Sequence, residues 1–232
     1  MSNSKRIKEK AHFYVSILAG AVQLSYLTQL CEENPNLVVL SDEPYHRIIF
    51  DGAAHISPAS LPQLQSRTVV IHTFSKTYSM AGWRIGYIAA PLHLAKQIRA
   101  FHLSMNCCAS SISQEAALWA ITNGTDIVED FRLRCQSNRD YLVKELNNIS
   151  NFNCYSPQGT FYLFPDVSGF GVKSKELSEL LAKSERVFVY PGSNYGISGE
   201  YHIRICFAST RTLLEELVRR LTRFVHNWEN SH

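Results

Sequence analysis

The chain has 232 residues, a mass of 26.3 kDa and a formal net charge of +3 with histidine neutral. With 45% hydrophobic and 19% charged residues it can bury a sizeable core, which excludes wholesale disorder. No apolar run approaches the roughly 18 residues of a membrane span, and so mild a charge gives no case for nucleic acid, so neither a membrane nor a nucleic acid is expected as a partner.

The start, Met1 to Lys10, is polar and basic and reads as a solvated end. The apolar stretch after it, Phe13 to Leu24, is broken by Ser16, Gly20 and Gln23 and makes a poor signal peptide. A short amphipathic helix is expected over 25–33, with Leu27, Leu30 and Cys31 on one face. Three apolar runs follow: Leu37–Leu40, Thr68–Ile71 and Ile85–Ala90. Runs of this kind suit strands buried on both faces, as in a mainly parallel sheet covered by helices. Helical patterns cover about 92–104, 112–122 and 126–148. The arrangement is α/β.

From about residue 150 the texture changes. Phe161–Phe164, Val187–Tyr190 and His202–Phe207 read as strands, with a helix over Ser174–Ser184 between them. A last helix over 210–228 aligns Leu214, Leu217, Val218, Leu221, Val225 and Trp228 on one face. These elements suggest a smaller C-terminal α+β domain. The boundary is expected inside the long helix, near 135–150, which gives an atypical segment over 1–25, a large domain over 26–140 and a small one over 141–232.

The six cysteines are Cys31, Cys107, Cys108, Cys135, Cys154 and Cys206. None stands in a CxxC pair and no histidine cluster lies near at ligand spacing, so no metal centre is expected. The usage suits free thiols in a reducing, cytoplasmic protein, with Cys107 and Cys108 expected to be buried.

Three segments carry chemistry. The first runs Thr73-Phe-Ser-Lys-Thr-Tyr-Ser-Met-Ala-Gly-Trp-Arg-Ile-Gly86, directly after a buried strand. Lys76 would sit at the strand end, where open α/β sheets bind ligands. Desolvation there favours the neutral, nucleophilic amine. Ser75 offers a hydroxyl, and Arg84, eight residues after Lys76, offers a donor fork that matches a phosphate. The second segment is Ser41-Asp-Glu-Pro-Tyr-His46, with Asp42 at another strand end and Tyr45 three residues on. A buried carboxylate at Asp42 needs a cation or several hydrogen bonds. The third is Arg204, which shares a strand face with His202 and Cys206 while Ile203 and Ile205 point the other way. His46, His72 and His202 read as structural.

These segments resemble the class I/II aminotransferases, pyridoxal 5′-phosphate (PLP) enzymes of fold type I, the aspartate aminotransferase fold. Thr73, Ser75, Lys76, Arg84 and Gly86 match the family's lysine motif, although the family prefers Ser or Gly at the place of Thr73. Asp42 and Tyr45 match its Asp-x-x-Tyr, and Arg204 its C-terminal arginine in a strand. Gly159–Phe164 and Val189–Gly192 also resemble family segments in the right order. The resemblance implies that Lys76 is the catalytic lysine, binds PLP covalently and moves a proton. It implies that Asp42 pairs with the pyridine nitrogen, Tyr45 bonds the ring's phenolic oxygen, and Arg84 with Ser75 or Thr73 holds the phosphate. Arg204 would grip the substrate carboxylate. The implied reaction moves an amino group from an amino acid to a 2-oxo acid, in a homodimer. A PLP-dependent lyase or synthase would share the same motifs.

The resemblance runs from about Tyr26 to the C-terminus. The family's Asn-Pro-Thr-Gly turn is not kept: Ile17 stands where its Asn would be, with Gly20-Ala-Val resembling its tail. Nothing in residues 1–25 supplies the family's Gly-rich phosphate loop. The expectation is therefore an N-terminally shortened member, with an inactive remnant or a partner of a full-length subunit as the alternative.

Overall fold

The computed structural model describes residues 12–15 and 21–231, so the expectations for Met1–Lys10, Ile17 and Gly20 lie outside the described residues. The chain divides into two compact units, one ending at Glu129 and the other beginning at Asp130.

The first unit is built on a four-stranded sheet of β1 (His12–Val15), β2 (Val38–Asp42), β3 (Thr68–Thr73) and β4 (Gly86–Ala89), in that spatial order. β1, β2 and β3 are parallel. α1 (Ala21–Glu33) connects β1 to β2, and α2 (Pro62–Gln65) precedes β3. Along β2 the residues Val39 and Ser41 are buried, while Val38, Leu40 and Asp42 on the other face are half-buried. β3 buries Thr68, Val69 and Val70 in succession, as a strand covered on both faces requires. The face of α1 read from the sequence does reach the core: Leu27 and Cys31 pack with Leu37, Val39 and Leu64, and Leu30 joins them.

The third apolar run departs from expectation. β4 pairs antiparallel with β3, and all four of its residues are exposed. Only Ile85, just before it, is buried. The cause is the connector over 74–85. It folds into α3 (Phe74–Thr77) and a 3₁₀ turn at Ala81–Trp83, and returns the chain beside β3 without the crossover a parallel strand needs. α4 (Leu92–Asn106) and α5 (Ser111–Asn123) follow, and α5 sets Ala117 and Ala120 against Phe74, Met80 and Ile85. Cys107 and Cys108, expected to be buried, are exposed in the break after α4, where Cys107 takes a left-handed φ of 56°.

The division between the units falls within α6 (Thr125–Asn147). The second unit has a three-stranded antiparallel sheet, β5 (Tyr162–Leu163), β7 (Ile203–Cys206) and β6 (Tyr190–Pro191), in that order. α7 (Ser174–Glu185) and α8 (Arg211–Glu229) complete it. The strand expected over 187–190 pairs only from Tyr190, because Val187 turns inward while Phe188 is exposed. Of the face read for α8, Leu214, Leu221 and Val225 are buried, and so is Phe224.

Candidate active site

Strand alternation decides which way each acid at the end of β2 points. Asp42 shares the face of Val38 and Leu40, whereas Glu43 continues the buried face of Val39 and Ser41. Asp42 is in register with Ile71 of β3, and the Glu43 amide extends the ladder by donating to the Ile71 carbonyl at 2.9 Å. The C-terminal ends of two adjacent parallel strands therefore carry Asp42 on one and the Thr73–Thr77 turn on the other. Tyr45 lies in the turn after β2, where its carbonyl accepts from the Ile48 amide at 2.8 Å.

Thr73 ends β3 and caps α3: its Oγ1 accepts from the Ser75 amide at 3.1 Å and donates to Ser75 Oγ at 2.8 Å. That contact leaves the hydrogen of the Ser75 hydroxyl for another acceptor. Lys76 is half-buried one residue on, inside α3 rather than at the last position of the strand. Arg84 is exposed and left-handed (φ 52°, ψ 47°), with one guanidinium nitrogen donating to the Ala81 carbonyl at 3.0 Å. A non-glycine residue held there stores strain, and strain of that kind gathers at working sites. Thr73, Ser75 and Arg84 line one cavity of about 540 Å³ together with Gly86, Arg99 and His102.

Arg204 lies in the second unit, half-buried in β7, with Ile203 and Ile205 buried on the opposite face. Its guanidinium carbon stands 4.2 Å from the ring centre of Tyr162, 4.6 Å from that of Tyr190 and 5.0 Å from that of Tyr195. Among the described residues its buried Nε has no hydrogen-bond partner. A cation held flat by aromatic faces keeps its donors for an anion.

A sequence profile for aminotransferase class I and II matches residues 18–221. The chain belongs to the class I and II aminotransferase family. An aromatic-amino-acid aminotransferase of Thermococcus litoralis is 36% identical over 190 residues, which are 81% of this chain and 49% of that protein. An aspartate aminotransferase of Pyrococcus abyssi is likewise 36% identical, over 81% of this chain and 49% of its own length. The chain thus spans about half the length of the curated relatives it matches. Among solved structures, an aromatic aminotransferase from Pyrococcus horikoshii superposes with a TM-score of 0.90 at 32% identity, covering 96% of this chain and 61% of that one. The fold is that of the aspartate aminotransferases, an α/β fold.

Two groups, one in each unit, were not foreseen from the sequence. The tyrosines facing Arg204 come from β5, β6 and the turn after β6, and only strand pairing joins them. Glu43 did leave a signal: it falls on the inward face of β2, in step with Val39 and Ser41. Of the histidines read as structural, His202 stacks on Phe164 with ring centres 5.0 Å apart, and its Nδ1 meets the Glu200 carbonyl at 3.1 Å.

Proposed function

We propose that this chain is a PLP-dependent aminotransferase that moves an amino group from an amino acid to a 2-oxo acid. The observation that carries the reading is the set of groups at the C-terminal ends of β2 and β3. A carboxylate, Asp42, ends one strand, and the other leads into a turn bearing Lys76, two hydroxyls and the strained Arg84. This donor set fits the cofactor. A phosphate takes a guanidinium fork, a serine hydroxyl and the cap of a short turn, and Thr73, Ser75 and Arg84 line one cavity.

PLP, when bound, supplies the electron sink for the negative charge that develops at the substrate Cα. The chain's own residues do the rest. Arg84 with Ser75 and Thr73 anchors the phosphate, and Asp42 keeps the pyridine nitrogen protonated by offering it a fixed negative charge. Tyr45 donates to the ring's phenolic oxygen. Lys76 would hold the cofactor, and its amine would be the base that carries a proton. Arg204 takes the substrate carboxylate on two parallel donors.

The substrates would be an amino acid and a 2-oxo acid, and the assembly a homodimer, as is usual in the family. The six free cysteines suit a reducing cytoplasm. Among the described residues no helix is long and apolar enough to cross a membrane.

Absorbance decides the reading. Purified protein mixed with PLP should show a visible band, borohydride should fix the cofactor on Lys76, and Lys76→Ala should abolish both. A wild-type chain that shows no band and no fixed cofactor overturns it.

A further inference from the structure

We propose that Glu43 is a positioning residue for Asp42 and Tyr45: its buried carboxylate, fastened by Ser41, His55 and Ser57, fixes the segment on which both cofactor contacts sit. The proposal rests on the PLP reading above.

Glu43 is 5% exposed, yet its carboxylate is fully engaged. Ser41 Oγ donates to Oε1 at 2.8 Å and Ser57 Oγ donates to the same oxygen at 2.6 Å. His55 Nε2 meets Oε2 at 2.8 Å, and His72 Nε2 lies 3.9 Å from it. The backbone of Glu43 is equally occupied. Its amide donates to the Ile71 carbonyl, and its own carbonyl faces Nδ1 of His46 at 3.1 Å and Nδ1 of His72 at 3.2 Å. The rings of His46 and His72 are 4.3 Å apart, and His72 leans on Tyr87 at 5.0 Å. One residue thus ties together the end of β2, β3 and the loop over 55–57, and His72 carries the contact on to Tyr87 of β4.

Stability alone does not call for this arrangement. A buried carboxylate is costly to desolvate, and apolar side chains of similar volume usually serve a core as well. What a polar hub adds is a single geometry, because each of its bonds has a length and a direction. The chain needs such a lock at this point. The β2–β3 ladder ends at Glu43, and the next residues form a half-buried turn over 44–47. Asp42 precedes Glu43 on the opposite strand face, and Tyr45 follows two residues later. Both inherit their placement from the backbone that Glu43 holds.

The test has two arms on the full chain. In the first, hydrogen exchange is measured without cofactor. Glu43→Gln is expected to speed exchange of the amides over 42–48 about tenfold or more, with α8 unchanged. Ser57→Ala removes one bond of the hub, folds more safely, and is expected to speed the same amides by about threefold or more. In the second arm, PLP is added and the pH midpoint of its visible band is followed. Ser57→Ala and Glu43→Gln are expected to raise that midpoint by about half a unit or more, because a displaced Tyr45 no longer stabilises the ionised phenolic oxygen. Unchanged exchange over 42–48 in both variants overturns the proposal. Faster exchange with an unmoved midpoint also overturns it, since Glu43 would then serve the fold alone. A wild-type chain without a band overturns the cofactor reading instead, and the exchange arm still decides whether Glu43 is the anchor.

Discussion

Arg204 sits inside a frame of three tyrosine rings, and its buried Nε has no hydrogen-bond partner among the described residues. The flat guanidinium suits that frame and a lysine ammonium does not, because it can neither stack on the rings nor present two parallel donors. Arg204→Lys is therefore expected to raise the KM for the amino acid about tenfold or more while the cofactor's visible band persists; steady-state kinetics and absorbance check the split. Gly86 answers a different constraint. It faces Thr73 across the β3–β4 pairing, and a Cβ there would lie 2.6 Å from the His72 carbonyl oxygen. Gly86→Ala is expected to cost about 1–3 kcal/mol in a urea melt, since backbone must shift to admit it. The role of Gly86 was legible only as a motif position, because the clash comes from a strand thirteen or more residues earlier in the chain.

At the scale of elements, legibility followed periodicity. α8 buries Leu214, Leu221 and Val225 from the face its spacing predicts. Leu221→Ala should lose about 2–5 kcal/mol of stability, whereas Leu213→Ala, on the exposed side, should stay within about 0.5 kcal/mol, as denaturant titration would show. α3 and α2 were not legible, for they are four residues long and too short to show a period. α3 still left its cap in the sequence, the Thr73 hydroxyl two residues before Ser75. β4 was legible as a strand but not as an antiparallel one. Both it and β3 lie in apolar runs, and strand direction is set by the path of the connector, not by the strand's residues.

Across the whole molecule, the thiols report burial. Cys107, Cys108 and Cys206 are exposed, while Cys31, Cys135 and Cys154 are buried. Burial pushes the Cys135 thiol up to about 11 and that of Cys154 up to about 12. A thiol reagent on the folded chain should modify the three exposed cysteines within the first phase, and the other three only after denaturant is added. Acid sensitivity follows from the hub in the first unit. Burial and the neighbouring His72 hold the His46 pKa below its ordinary 6.5, so the folded state favours the neutral ring. Burial pushes Glu43 upward, but bonds from His55, Ser57 and Ser41 outweigh it and hold the carboxyl below its ordinary 4.5. Both groups bind protons more readily when unfolded. Their stabilisation is complete above about pH 6.5, begins to fall below it through His46, and falls again below about 4.5 through Glu43. Thermal melts from pH 8 to pH 4 should show the two-stage loss, and His46→Gln should remove the first stage.

The sequence by itself determined the α/β class, the family, the helical faces and the residue types at the candidate site. Those properties reside in local runs, spacings and motifs that read the same before folding. Only the tertiary structure decided that β4 turns back against β3, that Cys107 and Cys108 face outward, and that three tyrosines close around Arg204. It also decided that His55 and Ser57 converge on Glu43. The physical reason is the same in each case: these are contacts between segments far apart in the chain, and direction, exposure and partner depend on how strands pair and connectors run.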